Sequence, residues 1–222
     1  MNTITLSGRD LHNLRRVAMA RSYDLTKLAF PTLSGILIEP RGKDDLVAVA
    51  TDGFVLAFAP LHIEGHGLTE KILVPATMAA EIQRRKLTLT SLFVIGDGEF
   101  RFFHKAGGIG SVTKAPEPGW SYPNWTKVLP APGDLRPAKL EEMVFGRDTW
   151  EKATNALNGG KVEYPIEVRE GAMSAGENRP VFTALEGVVV ATMPIRFSTM
   201  REAIDSTNIR EGLKAALGGV AA

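Results

Sequence analysis

The sequence predicts an α+β fold in which one βαβββ unit is used three times. Three observations point to it: short runs of alternating or β-rich apolar residues, a stretch of helical apolar spacing after the first strand of each unit, and a return of this order after about 70 residues.

Unit one opens with NTITLS at 2–7, which alternates like a half-buried strand, before Gly8-Arg9-Asp10 breaks the pattern. Leu11, Leu14, Val17 and Ala18 then recur at helical spacing. Three β-rich runs follow at 32–39, 46–50 and 55–63, separated by PRGKD and by Asp52-Gly53. Unit two predicts a strand at 71–74, Pro75 in a first helical turn, a helix over 76–87 with Ala79 and Ile82 inward, and strands at 91–95, 99–104 and 110–114. Unit three predicts a strand at 142–145, a second Gly-Arg-Asp break at 146–148, a helix over 149–157, and strands at 164–168, 181–185 and 188–196.

Between units two and three, residues 115–137 hold six prolines and two tryptophans. Such a segment cannot be helical throughout, and Trp120, Tyr122 and Trp125 are costly to leave in water, so it reads as an ordered linker. Past Phe197, TMRE at 199–202 and NIRE at 208–211 have capping-box spacing, and Gly218-Gly219 reads as a helix stop. The expected organisation is a two-unit domain over 1–130, a partial domain over 131–197 and a helical tail over 198–222.

Composition narrows the function. The chain has 222 residues, enough to bury about 70% of its unfolded surface as one large domain or two small ones. With no cysteine, thiolate metal sites and cysteine nucleophiles are excluded, and a reducing compartment fits. Lys plus Arg is 26 against 25 for Asp plus Glu, so nucleic-acid binding would need local clusters. No apolar run follows a basic start, and none approaches about 18 residues, so the expectation is a soluble, cytoplasmic protein off the membrane.

Catalytic chemistry finds little support. Asp52 lies in Asp-Gly between two β-rich arms, which is a hairpin turn, and no second acid or histidine nearby in sequence makes an acid–base pair, so a hydrolase centred on Asp52 and His62 is disfavoured. His62 and His66 fall in a glycine-bearing loop that does not suit a metal, and no nucleophile-elbow motif is present. No catalytic residue, cofactor or metal is expected.

Three stretches together resemble the bacterial DNA sliding clamp, the beta subunit of DNA polymerase III. They are PTLSGILIE with LVAVATDGFVLA over 31–57, YPNWTKVLP over 122–130, and VVVATMPIRF over 188–197. They are similar to that family's R-P-x-L-x-G-V-L-L-E, A-T-D-G-H-R-L-A, F-P-D-Y-x-x-V-L-P and V-M-P-M-R-L, in the same order. The resemblance covers about residues 2–197 and implies the clamp's middle domain followed by the second half of its last. Departures are Phe54-Val55 in place of His-Arg, Ala191-Thr192 in place of valines, and 25 residues beyond Phe197.

That resemblance implies helices on one face of curved antiparallel sheets, a homo-oligomeric ring around double-stranded DNA gripped without regard to sequence, and no enzymatic activity. It also implies a pocket for peptides of DNA polymerase and other proteins carrying a clamp-binding motif. Its residues would be Thr51, Gly53 and Leu56, then Pro123, Lys127 and Val128, then Met193, Pro194, Ile195 and Arg196. Such an apolar groove with a cationic rim suits aliphatic or aromatic anchors.

For DNA, Arg9, Arg15, Arg16, Arg21 and Lys27 stand against only Asp10 and Asp24, and Arg84, Arg85 and Lys86 against Glu81. Because Leu11, Leu14, Val17 and Ile82 fix the opposite helix faces on the sheet, these cations are expected to face phosphates, in weak and salt-dependent contact. The expected function is a sliding-clamp-like DNA replication processivity factor. The alternative is a clamp-derived, non-encircling protein-binding module that recruits or competes with replication proteins.

Overall fold

A computed structural model of the chain describes residues 2–6, 8–23, 31–84, 90–95, 99–104, 109–114, 119–130, 134, 136–137, 145–159, 173–174, 179–186 and 188–193. Unit one comprises β1 (Asn2–Leu6), α1 (Gly8–Ala18), β2 (Ile36–Pro40), β3 (Asp45–Thr51) and β4 (Val55–His62). Unit two comprises β5 (Ile72–Val74), α2 (Ala76–Arg84), β6 (Thr90–Ile95), β7 (Glu99–His104) and β8 (Ile109–Lys114). Then come β9 (Arg136–Pro137), α3 (Arg147–Asn158), β10 (Met173–Ser174), β11 (Val181–Leu185) and β12 (Val188–Thr192). No described helix is long and apolar enough to cross a membrane.

The strands form two antiparallel sheets, ordered β1-β6-β7-β8 and β5-β2-β3-β4-β12-β11-β10-β9. Each of the first two units lends its opening strand to the other: β1 pairs with β6, and β5 pairs with β2. The larger sheet then crosses into unit three, where β12 runs antiparallel to β4 with Ala191 opposite Leu56 and Thr192 opposite Val55.

Both faces of this sheet are covered, which is why β3 (DLVAVAT) reads as a nearly continuous apolar run. Its period of two still sorts the side chains. Leu46, Ala48 and Ala50 join one core with Leu11, Leu14 and Val17 of α1 and Ala153, Ala156 and Leu157 of α3. Val47 and Val49 join a second core on the opposite face with Leu37, Tyr122, Trp125 and Phe182.

The two Gly-Arg-Asp motifs mark helix N-termini. Gly8–Asp10 forms the first turn of α1, and Gly146 caps α3 with Asp148 in its first turn, where a carboxylate favours the positive end of the helix dipole. α3 stops at Gly159, whose φ of 67° is left-handed.

Several expected boundaries change. The strand expected at 32–39 begins as a 3-10 turn over Pro31–Ser34, because the Ser34 hydroxyl and the Gly35 amide both bond back into it and Leu33 O accepts from the Ser22 amide. Phe145 lies outside any strand and contacts Trp150 of α3 with ring centroids 4.8 Å apart. The pairs β9 and β10 were not expected. The strands expected at 142–144 and 164–168 and the tail at 198–222 lie outside the described residues.

Candidate functional site

The site is built around the β3–β4 hairpin. Asp52 Oδ1 accepts from the Phe54 and Val55 amides at 2.9 and 2.8 Å, while Thr51 Oγ1 donates to the Val55 carbonyl and accepts from the Gly53 amide. Gly53 takes a φ of 96°, open to glycine at no steric cost. The remaining Asp52 oxygen is bonded to Lys152 of α3. Asp52 is thus a turn-former and an anchor for α3. The described residues contain no cluster of three or more His, Cys, Asp or Glu that could hold a metal.

This turn holds Phe54 outward at 65% exposure, and the Met193 amide donates to its carbonyl at 2.9 Å. The end of β12 is thereby fixed beside the hairpin. Facing both is the 3-10 turn Trp125–Val128 of the proline-rich segment. Trp125 pins that turn to the sheet: its Nε1–H donates to Glu39 at 3.1 Å, its ring lies 5.3 Å from Phe58, and the Arg41 guanidinium sits 5.5 Å from its centroid. Thr32 ties the segment further by donating to Ser121 O at 2.6 Å. Tyr122 is buried beneath, and burial pushes its phenol pKa well up.

Because an irregular segment covers the sheet incompletely, an apolar groove of about 260 Å³ remains over the β4–β12 seam. Of the expected pocket residues, Thr51, Gly53, Leu56, Pro123, Val128 and Met193 line it together. Lys127 lines an adjoining cavity instead, and Pro194, Ile195 and Arg196 lie outside the described residues. Sequence reasoning missed Leu33, Trp125 and Pro180 as wall residues. The signal for two of them was present: Leu33 sits inside PTLSG, and Trp125 is a large aromatic in a segment without regular structure.

The cations expected to face DNA divide. Arg9 is exposed, and Arg15 is half-buried with its Nε–H on Gln83 O at 3.0 Å. Arg16 is fully buried: it donates to Ala156 O at 3.3 Å and Leu185 O at 2.9 Å, and meets Glu186 at 3.4 Å. Burial pulls its pKa below the ordinary arginine value, and Glu186 opposes that. Arg21 is buried at 7% exposure, bonded to Gln83 and Ser22 and stacked 4.6 Å from the Tyr23 centroid. The expectation is corrected for these two, since a guanidinium enclosed by carbonyls and packed side chains presents nothing to a phosphate. Lys27, Arg85, Lys86 and the Arg84 side chain lie outside the described residues.

The helix layer also carries carboxylates. A cavity of about 380 Å³ at α1, α2 and α3 is lined by Tyr23, Gln83, Asp148, Glu151 and Lys152 among others.

No protein-family model matches the chain, and no curated protein matches it significantly. Solved structures do. The Helicobacter pylori beta clamp in complex with 3,4-difluorobenzamide aligns at a TM-score of 0.63 and 15% identity, over 88% of this chain and 66% of that one. The DNA polymerase sliding clamp of Bacillus subtilis aligns at 0.58 and 15%, over 87% and 64%. The Helicobacter pylori beta clamp bound to DNA ligase peptide aligns at 0.57 and 15%, over 88% and 66%. This chain therefore spans just under two thirds of the length of those clamps, and at such identity the likeness is one of fold. Over nearly nine tenths of its own length, the chain has the α+β fold of bacterial DNA polymerase III beta sliding clamps.

Proposed function

We propose that this chain is a sliding-clamp-like factor of DNA replication that docks short peptide segments of partner proteins in the groove over the β4–β12 seam. One observation carries the reading. Phe54, Val128 and Met193, three of the four exposed large apolar side chains among the described residues, all line this one concavity. Exposed apolar groups clustered around a cleft mark a binding surface, and a groove of this size holds two or three side chains. The ligase peptide in a clamp of the same fold makes a peptide the first ligand to try. The proposal names no catalytic step.

The DNA half of the proposal rests on Arg9 and on the Arg84-Arg85-Lys86 run. The second reading is a non-encircling module that only binds proteins. It is favoured by the burial of Arg16 and Arg21 and by Asp148 and Glu151 on the helix layer, which weaken attraction for phosphate there.

Fluorescence anisotropy with the labelled ligase peptide tests docking, and retention on nicked circular DNA with a solution mass separates the two readings. Peptide binding with an oligomer retained on circles, and lost when the circles are cut, supports the clamp-like factor. Peptide binding by a monomer that circles do not retain selects the second. Absence of peptide binding at about 1 mM would remove docking from both.

A further inference from the structure

We propose that this groove selects peptides whose apolar anchors are flanked by carboxylates. The inference rests on the docking reading above and names the chemistry of its ligand. Among the described residues, none that lines the apolar groove is charged. It opens past Val128, Pro180 and Met193, which both concavities share, into a second one of about 660 Å³. An extended segment that seats its anchor in the first must therefore lay its neighbouring residues along the second.

The second concavity is charged, and unevenly. Among the described residues, Lys127, Arg136 and Arg179 line it against one acid, Asp134. All four are exposed, and no ion pair among the described residues occupies any of the three cations. Three cations elsewhere are already engaged: Arg16 on Glu186, Arg41 on Glu39 and Lys152 on Asp52. Three cations in a concave, half-enclosed setting reinforce one another's field, so a carboxylate gains there and an ammonium is repelled. The apolar groove supplies affinity, and the charged one discriminates by sign. A nucleic-acid strand suits the place less well, because an apolar groove and Asp134 interrupt any run of phosphate contacts.

The test uses three labelled decapeptides with a common apolar centre of leucine and phenylalanine, flanked on both sides by paired aspartates, asparagines or lysines. At about 50 mM salt the aspartate peptide is expected to bind about tenfold tighter than the asparagine peptide, and the lysine peptide about tenfold weaker; about 0.5 M salt should shrink both gaps to twofold or less. In the Arg136→Gln/Arg179→Gln variant the aspartate-to-asparagine ratio should fall to about threefold or below. Equal affinity for the first two peptides at low salt would overturn the acid preference and leave docking standing. If none of the three binds, docking falls with it. Displacement of the aspartate peptide by a thymidine oligonucleotide at comparable concentration would reassign the cationic concavity to nucleic acid.

Discussion

The two faces of the eight-stranded sheet are closed by different means. On one face α1 and α3 lie over Ala48, Ala50, Ala57 and Ala59, short side chains that let helices approach closely and seal the core. On the other, larger residues such as Val47, Val49, Leu56 and Phe182 meet a single proline-rich segment pinned mainly by Trp125. Helix α1 brings a long cationic side chain, Arg16, that the structure turns inward, whereas the irregular segment leaves a gap. One strand alternation thus yields a sealed face stabilised by a buried arginine and an open face able to take a ligand.

The sharpest way to break this comparison is Arg16→Ala. It orphans two carbonyls of unit three, Ala156 O and Leu185 O, and empties space between α1, α3 and the β11–β12 turn. A buried acceptor left unmade costs about 1–3 kcal/mol, so a loss of about 3 kcal/mol is expected in urea unfolding. Arg9→Ala, on the exposed side of the same helix, should stay within about 0.5 kcal/mol. Equal losses at the two positions would mean that Arg16 does not bridge the units.

Gly35→Ala probes where the open face is framed. A Cβ there would lie 2.4 Å from the Val74 carbonyl oxygen and 3.0 Å from Leu73 Cδ1, and the β2–β5 backbone cannot easily retreat. Overpacking of this kind costs about 1–3 kcal/mol. At Gly42 the nearest atom to an added Cβ is 3.8 Å away, so Gly42→Ala should be near neutral in the same assay. On the groove itself, Phe54→Ala should weaken ligase-peptide binding about five- to tenfold while leaving the melting temperature unchanged, because its ring is mostly in solvent. Unchanged affinity would move the ligand off the hairpin.

How far the sequence could be read follows from which forces are local. β3 and β4 were legible because their apolar runs end at an Asp-Gly turn whose bonds come from neighbouring residues. The exchange of β1 and β5 between units was not, since pairing across a crossover depends on what the helix packs against. The same division holds in the site. Leu56, Pro123, Val128 and Met193 were found through motif likeness, and they meet because β12 adds to β4. Arg16 was misread because its spacing on α1 says nothing of carbonyls 140 and 169 residues away.

The smallest effect belongs to the far end of the same hairpin, where His62 Nδ1 lies 2.9 Å from Asp45 Oδ1 and both side chains are about two-thirds exposed. The hydrogen bond to Asp45 raises the histidine pKa, with Asp44 and Glu64 adding to it. A raised folded-state pKa means that the native state binds the proton more tightly than the unfolded chain. Any stabilisation is therefore fully present below the ordinary value of about 6.5 and fades as pH rises through the raised value. Exposure keeps that contribution within the noise of an unfolding curve, so the ring resonance is the better readout. In an NMR titration His62 should show a midpoint above 6.5, and Asp45→Asn should bring it down towards that value. A midpoint indifferent to Asp45→Asn would show that the bond is not what holds the proton.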